Sequence, residues 1–211
     1  MSRLQILIAE FQKITPFSIR FKDESWIMKL LNVFVVWYNP DFMTRYTTIL
    51  GNSIYLPKRR YTYQEEESLM RILTHEMVHL LDQKRYSKPI FMLGYVFPQI
   101  MALGVFSFPF LGFWSLAFLL FLLPLPAPFR GYFESRAYAI DVLTAHPETR
   151  VATLRYAAKD LCSWNYYRIH PDEELMRDSI AYWIEYAEAG KDPVLTKVLL
   201  TYEMVQEMYE S

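Results

Sequence analysis

Apolar and polar residues along this chain follow two spacings, and one long stretch follows neither. Residues 2–13 and about 24–38 repeat at helical spacing, the second with Trp26, Ile27, Leu30, Leu31, Phe34 and Val35, which are expected in the core. Tyr46 to Leu56 (YTTILGNSIYL) is rich in β-branched and aromatic residues with Gly51-Asn52 in its middle, so it reads as a strand pair or a bulged strand closed by Pro57. Thr62 with Glu65 three residues on matches a capping box, and Glu65-Glu66-Glu67 suits the positive end of a helix expected to run to about Tyr86. From Pro89 to Phe129, 41 consecutive residues carry no Asp, Glu, Lys, Arg or His. Four more helices are expected at 131–145, 148–162, 172–189 and 193–209, divided by His146-Pro147, His170-Pro171 and Gly190 to Pro193. The chain thus divides into residues 1–88, an apolar hairpin at 89–129, and residues 130–211, the outer two forming one mainly α domain with a small β-sheet (α+β).

Composition narrows the partners. With 22 Lys plus Arg against 23 Asp plus Glu among 211 residues, no nucleic-acid footprint is expected. The 53% hydrophobic and 17% aromatic content excludes disorder. A single cysteine, Cys162, excludes a disulfide scaffold and a CxxC zinc site, so a metal would need His and carboxylate ligands, and there are only four histidines. Met1-Ser2-Arg3-Leu4-Gln5 leads into an amphipathic stretch rather than a charged segment followed by a long apolar one, so no signal peptide is expected.

Two of those histidines stand in Thr74-His75-Glu76-Met77-Val78-His79, an HExxH motif. Residues four apart share a helix face, so both imidazoles can reach one Zn²⁺ while Glu76 can polarise a water beside it. The alternative is a polar helix face with two incidental histidines. A catalytic zinc needs a third ligand, and the spacing HExxHxxGxxH fails because Asp82 and Arg85 stand where Gly and His are required. The best candidate is Glu134, which opens the apolar face of a helix whose small residues at 135, 137 and 139 allow close packing. Its alternative is an exposed carboxylate in a first helical turn.

A strand, an HExxH helix and then Glu134-Ser135-Arg136-Ala137 on a second helix resemble the gluzincin branch of zinc metallopeptidases. The uncharged segment between the two motifs further resembles the membrane-embedded HtpX and CAAX prenyl endopeptidase type, and the likeness covers roughly residues 45–145. The resemblance implies a zincin-like fold with a long hydrophobic hairpin insertion, His75, His79 and Glu134 as ligands of Zn²⁺, Glu76 as general base, and a peptide or protein substrate. Those families commonly place Asp directly after the Ala, where this chain has Tyr138. Asp141 or Asp82 is expected to take over by accepting an imidazole N–H. His146, His170, Tyr132 and Tyr138 are candidate donors to an oxyanion. The edge of the strand before the HExxH helix is expected to pair with an extended peptide.

Two membrane spans need about 20 apolar residues each, which 41 residues just supply, with Phe106 to Pro109 as the turn. Lys84, Arg85, Lys88 and Arg130 would put both ends, and the zinc site, on the cytoplasmic side. Pro98, Pro124, Pro126 and Pro128 fit a re-entrant or interfacial hairpin, or insertion into a protein partner, equally well. A core hairpin packed under the C-terminal helices is the remaining alternative. The expectation is a membrane-associated zinc metallopeptidase, with a zincin-like structural subunit of a membrane or viral assembly as the second reading. An intact Glu76 favours the enzyme.

Overall fold

The computed structural model describes residues 1–36 and 39–210. Helix α1 (Arg3–Ile14) starts in a capping box formed by Ser2 and Gln5 and buries Leu4, Leu7 and Phe11. Strand β1 (Ser18–Phe21) leads through a short 3₁₀ turn to α2 (Trp26–Val35), capped by Ser25. Strands β2 (Thr48–Leu50) and β3 (Ser53–Leu56) form the expected pair, turning at Gly51 with φ 62°. The sequence reading missed β1, which pairs in parallel with β3 from Ser18 opposite Ser53 to Phe21 opposite Leu56. The sheet order is β1-β3-β2, so β2 is an edge.

After the short α3 (Lys58–Tyr63) comes the central helix α4 (Glu66–Tyr86). Its expected capping box does not form: Thr62 lies within α3 and its hydroxyl donates to the Lys58 carbonyl at 3.0 Å. Glu66 instead accepts the Leu4 amide at 2.9 Å, joining the starts of α1 and α4. At Ser87 the chain takes φ 67° and ψ 146°, a conformation suited to glycine, and so turns sharply into α5 (Lys88–Val96).

The apolar stretch then doubles back. A 3₁₀ run Gln99–Ser107, the short α6 (Phe108–Leu111) and a second 3₁₀ run Gly112–Leu122 pack on one another, and Gly104 gives room to the Phe118 ring. The turn is centred on α6, slightly beyond the expected Phe106 to Pro109. Phe106, Phe110, Phe113 and Trp114 are 78%, 90%, 80% and 84% exposed, which removes the core-hairpin alternative.

Helix α7 (Pro128–Leu143) returns against α4, its Ala137 and Ala139 fully buried as close packing demands. Helices α8 (Arg150–Leu161) and α9 (Glu173–Glu188) cover its outer face through Val142, Leu161, Met176 and Ile180, and α10 (Pro193–Glu210) packs on α1 and α4. One core of Leu7, Phe11, Leu73, Met77, Val198 and Val205 joins α1, α4 and α10. Helix α2 departs from expectation. Met28 is buried, whereas Trp26, Leu30 and Leu31 are exposed, and the expected end of this helix at 37–38 lies outside the described residues.

Candidate metal centre

Helix α4 sets His75 and His79 one turn apart on the face that meets α7, and α7 presents Glu134 to both. His75 Nε2 is 3.8 Å from Glu134 Oε2, and His79 Nε2 is 3.7 Å from Oε1. All three donor atoms lie within 4.8 Å of one another. Donors about 2.0–2.2 Å from a shared tetrahedral ion stand roughly 3.3–3.5 Å apart; each His–Glu pair, made through a different carboxylate oxygen, is a few tenths of an ångström wide of that, and the set of three has to close further to grip one ion. Glu134 is 2% exposed, unlike the solvated carboxylate that its sequence position alone allowed. Its Oε2 is buried and accepts no hydrogen bond among the described residues. An orphaned buried carboxylate oxygen facing two imidazoles fits a divalent cation.

Of the two carboxylates expected to accept an imidazole N–H, only one does so. His75 Nδ1 donates to Asp141 Oδ2 at 2.8 Å, which fixes the ring and leaves Nε2 turned to Glu134. Asp82 does not serve His79. It is fully buried and takes two hydrogen bonds from Arg136, both at 2.9 Å, because a buried guanidinium two residues after Glu134 competes for it. His79 Nδ1 has no acceptor among the described residues.

Electrostatics at the site follow from burial. Burial works to lower the His75 pKa, but the charge and hydrogen bond of Asp141, with Glu76 and Glu134, outweigh it and push it up to about 10. Burial and the neighbouring His75 charge hold His79 well below the usual range. Burial pushes Glu76 up to about 7, with His75 opposing and Glu134 assisting, and raises Glu134 as well.

Of the four oxyanion candidates, only Tyr138 reaches the site. Its ring meets His75 edge-on at 5.1 Å, and its hydroxyl lies 2.8 Å from that of Tyr166 and 3.3 Å from Asp160. Tyr132 is spent on the Tyr86 hydroxyl and packs on Trp183. His146 is exposed at the head of a 3₁₀ turn, and His170 accepts the Asp172 amide where α9 begins. All three belong to helix ends or to packing away from the two imidazoles.

Sequence reasoning missed the wall supplied by the hairpin. Phe91 and Tyr95 of α5 set their rings 6.2 Å from His79, and the Tyr95 hydroxyl donates to Glu134 Oε1. Their spacing of four on a helix leaving α4 was a signal, but only the turn at Ser87 aims that face at the site. Beside His75 and Glu76 a cleft of about 290 Å³ opens between the segment that leads into β2, α4, α7 and α8, with Arg71, Tyr156 and Asp160 in its wall. Compared with known protein families, characterised proteins and solved structures, the chain matches none.

Proposed function

We propose that this chain is a zinc-dependent metallopeptidase that works at a membrane. The convergence of His75, His79 and Glu134, with Glu76 beside them at the head of an open cleft, carries the reading. Bound by those three side chains, zinc would supply Lewis acidity that polarises a peptide carbonyl and lowers the pKa of water toward ~7. Glu76 is not needed as a ligand, and with its pKa near 7 it can take the proton of an attacking water and return it to the leaving amine. Asp141 holds the His75 tautomer, and Tyr138 and Tyr166 bring hydroxyl donors to the wall of the cleft where an oxyanion would develop. Arg45, Tyr46 and Thr47, which lead into edge strand β2, border the cleft, so an extended peptide lying in it would run toward the backbone groups of that edge.

The test compares zinc content and cleavage of an unfolded protein substrate across variants. The wild type should cleave, Glu76→Gln should keep zinc and lose cleavage, and Glu134→Ala should lose zinc itself. Cleavage surviving in Glu76→Gln, or equal zinc loss in both variants, contradicts these roles.

The membrane part of the reading rests on the hairpin. Gln99–Leu122 is long and apolar enough by composition to cross a bilayer, and 6% of it is buried, yet it doubles back. Limbs of nine and eleven residues rise about 18 and 22 Å at roughly 2 Å per residue, short of the ~30 Å hydrocarbon core. This favours a hairpin dipped into one leaflet, with exposed Lys84 and Lys88 at its base on the cytoplasmic face. Flotation of the detergent-purified protein with liposomes checks it. Failure to float, with the hairpin protected by a protein partner, would favour the structural-subunit reading.

A further inference from the structure

The cleft beside the metal centre carries a guanidinium that the proposed chemistry does not use. Arg71 stands on α4 four residues before His75, just over one helical turn or about 6 Å along the axis, and lines the cleft next to His75 and Glu76. Among the described residues its only hydrogen bond is from Nη2 to the Asp141 backbone carbonyl, long at 3.3 Å. Its Nε is buried without an acceptor, and no carboxylate lies within ion-pair distance among the described residues. Arg71 is half-buried, its Nε unpaired and the rest of its donors turned to the cleft rather than to a protein acceptor, so the fork is available to a bound acceptor.

The carboxylates in the same cleft do not complete it. Asp141 is held by His75 at 2.8 Å, and Asp160 lies against the Tyr138 hydroxyl at 3.3 Å. Glu76 sits with the metal-site cluster, where His75, Glu134 and Asp141 act on its charge. A second guanidinium, Arg45, lies on the rim of the cleft and donates to the Tyr156 hydroxyl at 2.7 Å. One cleft is therefore lined by His75 and Glu76 of the candidate metal centre and by two guanidinium groups.

We infer that Arg71, with Arg45 on the rim, forms a carboxylate-binding subsite, and that the substrates are peptides with a carboxylate within about one residue of the scissile bond. This rests on the peptidase reading for the word substrate, though the subsite stands on the protein's own residues. A planar fork matches a carboxylate in two parallel hydrogen bonds, stronger than contacts between neutral groups. At ~3.5 Å of chain per residue, a carboxylate on the residue next to the scissile bond covers the one-turn separation. That carboxylate can be an Asp or Glu side chain or the free C-terminus.

The experiment measures binding apart from cleavage. Full-length Glu76→Gln protein in detergent, with zinc added, is titrated with fluorescent hexapeptides whose ends are blocked and whose central residue is Glu or Gln. A third, uncharged peptide ends in a free carboxylate. The Glu peptide should bind ~10-fold or more tighter than the Gln peptide, with the gap narrowing as salt rises. Arg71→Gln should remove the gap, and Arg71→Lys should restore part of it. Tight binding of the free-carboxylate peptide instead assigns the subsite to chain ends, equally through Arg71. Equal affinities of all three peptides, no binding of any, or a gap that survives Arg71→Gln overturns the inference; because the arm with Arg71 intact compares peptides rather than variants, a misfolded Arg71 variant does not rescue it. Cleavage is scored separately on wild-type protein: a carboxylate preference in binding with no hydrolysis sinks the peptidase reading and leaves the subsite standing.

Discussion

At the scale of single residues, two of the three candidate metal donors, Glu134 and His75, are each set by one neighbour. The Tyr95 hydroxyl occupies Glu134 Oε1 and leaves Oε2 for the ion, so Tyr95→Phe should weaken zinc binding about 10-fold or more while the thermal midpoint without metal changes little. Competition with a chromophoric chelator reads this directly. Asp141→Asn should weaken zinc by a similar ~10–100-fold, because an amide does not hold the His75 N–H as a carboxylate does. A Tyr95→Phe protein with unchanged zinc affinity would show that the hairpin wall only packs. His75, Glu76 and His79 were legible because their spacing lies within one helix, and Glu134 because its own helix has a face to read. Tyr95, Tyr166 and Arg71 were not, since each reaches the site through a turn or a neighbouring helix that no local pattern announces. Asp82 was misread for the same reason: Arg136, 54 residues away, claims it.

At the scale of elements, helix existence was legible and helix starts were less so. Thr62 and Glu65 have the letters of a capping box, yet the chain spends Thr62 inside α3 and gives the start of α4 to Glu66 and Leu4. Strand β1 went unread because its four residues have no hairpin partner in sequence and depend on β3 some 35 residues on. The sharpest element boundary is Ser87, whose positive φ is a strain of order 1–3 kcal/mol for a residue with a Cβ. Ser87→Gly should therefore raise stability by about 1 kcal/mol, measured by denaturant unfolding in detergent, although glycine's greater unfolded entropy offsets part of the gain. The hairpin itself splits into two functional parts. Replacing 99–122 by a short polar linker should give a soluble protein that still loads zinc, whereas replacing 89–129 removes Phe91 and Tyr95 and should weaken loading.

At the scale of the whole molecule, Asp192 ties three helices together. It accepts from Arg136 at 2.7 Å and Arg85 at 3.0 Å, and its other oxygen caps α10 by accepting the Val194 and Leu195 amides. Burial alone would raise its pKa, but Arg136, the Leu195 amide and Arg85 overcome it and hold it at about 2. A carboxyl held below its ordinary 3.8 stabilises the fold fully above that value and loses the contribution as pH falls through about 2. The thermal midpoint should accordingly fall between pH 4 and 2, and Asp192→Asn should lower it at pH 7, by about 3 kcal/mol of stability, while flattening that acid limb.

The chain order of the site sets a timetable for its assembly. His79 and Glu134 are 55 residues apart, and the apolar hairpin lies between them. As the protein is made, both imidazoles emerge first, the hairpin next and the third donor last. Closing that loop carries an entropy cost, and an apolar segment left in water meanwhile is prone to aggregate. A newly made chain thus settles its hairpin before it can grip an ion with three donors, and refolding followed with zinc present should show tight uptake as the slowest phase, hastened by lipid vesicles.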